Sequence, residues 1–170
     1  AICLGALYGI NNIAHDHLAS QLRGALLGCF IGFLMMLVLV LFQLFTMLGY
    51  AVDETGAVSM EAGKYLNNFL QMPAVLVMFL VGAVLLVAGV VLTLLKPKYN
   101  KGIWLAGPGT VLAVIPLFLI AGYNGTSYYP SSADLQSSLT LANSCSSEFT
   151  LRTMAIVSLI LPFVVAYIAY

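Results

Sequence analysis

His15-Asp16-His17 is the one stretch of this chain whose residue types resemble a metal or haem site. Imidazole is the commonest metal ligand. Residues at i and i+2, however, diverge on a helix, and the stretch borders an apolar run, so it reads as a solvated turn. Met35, Met36, Met47, Met78 and Met154 carry thioethers able to ligate haem iron, but in apolar helices methionine usually acts as flexible filler. Cys3 and Cys29 lie in apolar segments as small hydrophobes, and Cys145 stands alone in a polar segment, so no disulfide framework is spelled out. A proton path through a bilayer usually needs Asp, Glu, His or Lys at depth, and no complete apolar run holds one at its middle. The most polar interior residues are Gln43, Thr46, Thr93, Thr110 and Ser158. Gln43 has the chemistry to bond a partner helix or a quinone oxygen, although amides and hydroxyls in such runs mostly satisfy a neighbouring helix. No phosphate-cradling glycine loop, serine-nucleophile motif or paired metal-ligand spacing is present. The sequence therefore offers no catalytic residue, no metal site and no position to which a cofactor can be assigned.

The elements that would position these residues are set by the charges. The 170 residues are 62% hydrophobic and 7% charged, against about 45–50% and about 25% in soluble domains. All twelve acidic and basic residues fall between or at the ends of runs over residues 23–49, 73–95, 104–123 and 151–170. A hydrocarbon core about 30 Å thick takes roughly 20 apolar residues in a helix, so each run is long enough to cross it. Residues 1–14 are apolar without the positive flank of a secretory signal and read as the last turns of an earlier span. The expected fold is all-α, a polytopic transmembrane helix bundle of four spans plus the end of a preceding one, forming a single domain over residues 1–170 that is itself part of a longer protein. A soluble enzyme is excluded by the apolar excess, and nucleic-acid binding by the balance of six basic and six acidic residues. The lipid bilayer is the partner that composition demands.

Four connections join the runs. Asn11, Asn12, His15, Asp16 and His17 mark the first. Asp53-Glu54-Thr55-Gly56 opens the second with a turn signal, and residues 60–71 then place Leu66, Phe69 and Leu70 at helical spacing for a segment along the membrane surface. The third, residues 96–102, is short and basic, and the fourth, residues 124–150, is long and serine-rich. Arg23, Lys96, Lys98 and Lys101 belong to the first and third, Lys64 and Arg152 to the others, so the first and third are expected to face the cytoplasm. Trp104 at one edge and Tyr50, Tyr123, Tyr128 and Tyr129 at the other suit interfacial belts. Gly24, Gly28 and Gly32 recur on one face and predict close helix packing there. Pro108, Pro116 and Pro162 should kink their helices. Asn124-Gly125-Thr126 matches the glycosylation acceptor pattern, with a tight turn as the plainer reading.

The run Gly122-Tyr123-Asn124, then Tyr128-Tyr129-Pro130-Ser131-Ser132, then Ser137-Ser138-Leu139-Thr140-Leu141-Ala142-Asn143-Ser144, leading to Phe149-Thr150-Leu151-Arg152-Thr153-Met154, resembles subunit II of the cytochrome bd quinol oxidases. Gly5-Ala6-Leu7-Tyr8 and the span around Gly82 are similar too. The resemblance covers essentially the whole chain and corresponds to the family's C-terminal half. It departs at Asn11-Asn12, where the family often has Lys-Thr, so no ligand contact is carried to that loop.

The resemblance implies a complex of the bacterial inner (plasma) membrane in which quinol is oxidised and dioxygen reduced to water. Haems b and d would reside in a partner, the haem-bearing subunit I, with this chain as its non-haem support and a quinone bound alongside in some relatives. The polar intramembrane positions of the family belong mostly to its other half, so no catalytic residue is carried onto a numbered position here. Half of a small-solute transporter is the alternative, for which Pro108, Pro116 and the glycines are the pretext. The lack of polar residues at depth weighs against it.

Overall fold

The computed structural model describes residues 1–13 and 15–169, with the side chains of Tyr128 and Ala169 left aside. Ala14 and Tyr170, which close the first and last expected runs, lie outside the described residues. Helices run over α1 (Ile2–Asn12), α2 (Asp16–Thr46), α3 (Lys64–Gln71), α4 (Pro73–Leu95), α5 (Ile103–Gly122), α6 (Leu141–Ser144) and α7 (Glu148–Ala169). Four of them, α2, α4, α5 and α7, are long and apolar enough to cross a membrane. The fold is all-α, with two small two-stranded sheets between helices.

The boundaries follow local chemistry. Pro73 occupies the first turn of α4, where its missing N–H costs nothing. The helices α5 and α7 continue through Pro108, Pro116 and Pro162. Expected span 23–49 is corrected at both ends. The helix α2 begins at Asp16 because Arg23, whose charge suggested a boundary, sits inside it with its guanidinium satisfied elsewhere. It stops at Thr46 because Leu48 and Gly49 enter a strand. Most of the expected first connection is therefore helix, and His15 is the residue that caps it.

The second connection is more ordered than expected. Strand β1 (Leu48–Val52) pairs antiparallel with β2 (Val58–Ala62). The turn is closed by Gly56 N–H donating to Asp53 O at 2.9 Å, with Gly56 at φ 83°, a conformation glycine adopts without penalty. The surface helix starts at Lys64, after the strand. The fourth connection holds β3 (Ser127–Tyr129) and β4 (Leu139–Thr140), paired antiparallel. Gln136 joins the two regions, its side-chain amide accepting from Val58 N–H at 3.1 Å and donating to Val58 O at 3.0 Å. In this way a side chain imitates a neighbouring strand.

The antiparallel pair α4–α5 is the spine. A Cβ built on Gly82 would stand 2.4 Å from Ala113 N, and one on Gly109 would stand 2.6 Å from Leu86 N. At the other end of the seam, a Cβ on Gly89 would meet Gly102 O at 2.6 Å. The two helices thus touch backbone to backbone, the close approach that glycine permits in lipid. The predicted glycine face of α2 behaves otherwise: nothing stands within 4 Å of a Cβ at Gly24, Gly28 or Gly32. Close packing by those three glycines is not made among the described residues.

One core joins Leu7 and Ile10 of α1, Leu26 and Phe30 of α2, Val90 of α4 and Ala106 of α5. A second lies towards the hairpin, around Tyr65, Phe69 and Ile120, with the Phe69 ring 6.1 Å from Phe45 and 5.4 Å from Phe79. By contrast, every residue of α7 from Leu151 to Ile168 is exposed.

Candidate functional site

Three arrangements in this fold combine polarity or space with definite geometry. The first is built on Arg23. From the second turn of α2 its guanidinium reaches the end of α4 and the basic connection, donating to Thr93 O, to Lys96 O at 3.2 Å, to Pro97 O at 2.7 Å and to Asn100 Oδ1 at 2.9 Å. The last carbonyls of a helix lack intrahelical donors, and the forked guanidinium supplies several from one cation. A positive charge there also meets the negative end of the helix dipole. The clamp fixes residues 96–100 against α2 and places the first and third connections at one end of the bundle. Beneath it, Thr93 is fully buried and donates to Gly89 O at 2.8 Å, and Gly102 leaves room for its hydroxyl.

The second arrangement is at the opposite end. Asn68 of α3 is fully buried, donates through Nδ2 to Ile120 O at 2.8 Å, and accepts from Asn124 Nδ2 at 3.2 Å. Asn124 Nδ2 also donates to Gln71 Oε1 at 2.6 Å. Asn68 thereby ends α5 as Arg23 ends α4. Asn124 at φ 58° and Gly125 at φ 64° form the tight turn, and Thr126 is buried. The glycosylation-like triplet is therefore a structural turn whose amide is engaged. Close by, burial first, and then the facing Tyr50, push the Tyr65 phenol above its usual range.

The third is a cavity of about 530 Å³ between α1, α2, α4 and α5, lined by residues such as Cys3, Cys29, Met36, Leu86, Val90 and Thr110. The Thr110 hydroxyl donates to Ala106 O at 2.7 Å and is not free for a ligand. A lining of this kind suits a hydrocarbon chain. It offers no free amide or hydroxyl donor to a quinone carbonyl.

Of the residues singled out by sequence, Cys3, Cys29, Met36 and Thr110 line the cavity, Thr93 lies beneath the Arg23 clamp and Asn124 belongs to the Asn68 network, whereas the two histidines join none of the three. His15 and His17 are exposed at the start of α2, and no cluster of three His, Cys, Asp or Glu forms among the described residues. Of the methionines, Met36 reaches the cavity, and Met35, Met47 and Met154 are exposed. Thr46 and Ser158 bond carbonyls of their own helices, Phe42 O and Ala155 O, both at 2.8 Å. Gln43 lies exposed on α2 and bonds no partner helix among the described residues. Sequence reasoning missed Asn68, Asn124 and Gln71 as a network, because only the fold brings α3 beside the end of α5.

Spanning helices with end-on polar clamps and an apolar interior define a multi-pass membrane protein. The chain belongs to the cytochrome bd terminal oxidase subunit II family, whose model matches residues 1–170, the whole chain. No curated protein matches it. The family indicates a part in an oxidase complex that contains haem. Among the described residues the cavity of about 530 Å³ is lined by no histidine, and the side chains of haem-ligating type that it presents are the sulfurs of Cys3, Cys29 and Met36.

Proposed function

We propose that this chain is the non-haem supporting subunit of a bd-type quinol:dioxygen oxidoreductase, packed in the bacterial inner membrane against a haem-bearing subunit I. Quinol oxidation, dioxygen reduction and the haems belong to that partner and to the complex as a whole. The observation that carries the reading is the family match over residues 1–170. It is supported by the hydroxyls within the spans, Thr46, Thr93, Thr110 and Ser158, each of which donates to a carbonyl of its own helix. The outward faces of α2 and α7 are predominantly apolar between their polar ends, which suits burial in lipid or against another spanning subunit.

Affinity purification through a tag on this chain tests the proposal. A larger haem-bearing subunit should co-purify, with quinol-dependent oxygen uptake. Stoichiometric haem on the chain purified alone, with a spectrum abolished by His15 or His17 substitution, would refute it.

A further inference from the structure

The chain has six basic side chains, and the structure sorts them. Lys64 pairs with Glu61 at 3.8 Å and Arg152 with Glu148 at 2.6 Å, both at the hairpin end. Arg23 is committed to the carbonyls of α4 and its connection. Lys96, Lys98 and Lys101 remain, all exposed and in no ion pair among the described residues. Asp16 is the one acid at their end, whereas Asp53, Glu54, Glu61, Asp134 and Glu148 lie at the other. The bundle thus carries a net charge of +3 at one end and −3 at the opposite one.

Arg23 draws the backbone carbonyls of residues 93–97 towards α2, so the connection is pinned by its backbone and its lysines are spent on nothing inside the protein. Because α4 and α5 are spanning helices, the connection lies at the level of the lipid head groups. Trp104, three residues past Lys101, is 72% exposed, and an exposed indole beside a spanning helix settles at that level.

We propose that Lys96, Lys98 and Lys101 form a binding site for the phosphate of an anionic phospholipid, with Trp104 beside the upper part of its acyl chain. Charge complementarity selects the head group, since a zwitterionic lipid brings its own cation to the same place. Each lysine near an anionic surface contributes about five-fold in affinity, and a held backbone lowers the ordering cost of gathering three of them.

Trp104 is the chain's single tryptophan and reports on its own neighbours. The intact protein, in whatever complex it forms, is reconstituted in vesicles carrying either phosphatidylglycerol or phosphatidylcholine brominated near the head-group end, at equal mole fraction. Subtracting the signal of Trp104→Phe isolates this residue. Quenching by the anionic lipid is expected to correspond to at least about a five-fold higher local association. The preference should vanish in K96Q/K98Q/K101Q, persist in K96R/K98R/K101R, and decay with added salt in the unmutated protein. The salt series requires no variant to fold. Equal quenching by both lipids, as when a protein partner's carboxylates cover the lysines, would overturn the proposal. So would a preference that survives the glutamine substitutions or is insensitive to salt.

Discussion

Gly82→Ala should force α4 and α5 apart. The new methyl carbon would sit 2.4 Å from Ala113 N and 2.6 Å from the Leu112 carbonyl carbon, where ordinary contact begins at 3.4 Å. Both obstacles are helical backbone, which cannot rotate away as a side-chain tip can, so the seam must open by about 1 Å. A gap of that size forfeits up to about half of each dispersion contact across it, and overpacking of this kind costs about 1–3 kcal/mol. Against this, alanine favours a helix over glycine by at most about 1 kcal/mol. The steric term wins, leaving about 1–2 kcal/mol of destabilisation, or roughly a 5–30-fold shift in the unfolding equilibrium. The matched control is Gly28→Ala, where nothing stands within 4 Å and only the propensity gain remains. Detergent-induced unfolding in mixed micelles, followed by far-UV circular dichroism and Trp104 fluorescence, measures both. A Gly82→Ala protein as stable as the parent, or a Gly28→Ala protein less stable than Gly82→Ala, would refute the assignment of the seam.

Further outcomes follow from the two clamps and from the buried Tyr65. Arg23→Ala should cost about 2–3 kcal/mol through lost charged hydrogen bonds and accelerate amide exchange over residues 93–100, with Arg23→Lys intermediate because an ammonium lacks the fork. Asn68→Leu leaves the Ile120 carbonyl and the Asn124 amide short of a partner and should lower stability by about 1–3 kcal/mol. Asn68→Asp should be worse still at neutral pH and recover on acidification, since a protonated carboxyl can again donate to Ile120; melting midpoints against pH separate the variants. Tyr65 has a raised phenol pKa in the folded protein, so above the unfolded value of about 10 the unfolded chain binds fewer protons and stability falls with rising pH. Tyr65→Phe should flatten that alkaline decline while leaving the melting midpoint near pH 7 little changed.

How much of this was readable beforehand depended on where a residue's partners lie. The helix α4 is legible in the sequence because its signals are local, a proline at one end and a lysine at the other. The start of α2 is not legible because the partners of Arg23 lie some seventy residues away, so that in the sequence its charge resembles a boundary. The turn at Asp53–Gly56 was legible, but its strands were not. One merges with the apolar run that precedes it, and both are too short for alternation to show. The four-residue glycine repeat of α2 points to a seam on that helix. It lies instead at Gly82 and Gly89 against Gly102 and Gly109, seven apart in each of two consecutive segments, and Gly102 fell outside the expected span. The Asn68 network had no sequence signal at all, because an asparagine pair 56 residues apart is unremarkable until α3 is laid under α5.

These features together give the chain the mechanics of a frame. A transport path needs polar groups that are free to exchange partners at depth, whereas Thr93 and Thr110, the buried and half-buried hydroxyls of α4 and α5, donate to carbonyls of their own helices. A frame needs the opposite: a stiff axis with ends that cannot splay. The backbone contact of α4 with α5 supplies the axis, and each of those helices is tied at its C-terminus by a side chain from another element, α4 by Arg23 and α5 by Asn68. Loosening either tie frees one end of the axis without touching the seam. Arg23→Ala and Asn68→Leu, whose sites lie at opposite ends, should therefore be additive in stability, whereas Gly82→Ala, acting on the contact that both ties serve, should be non-additive with each.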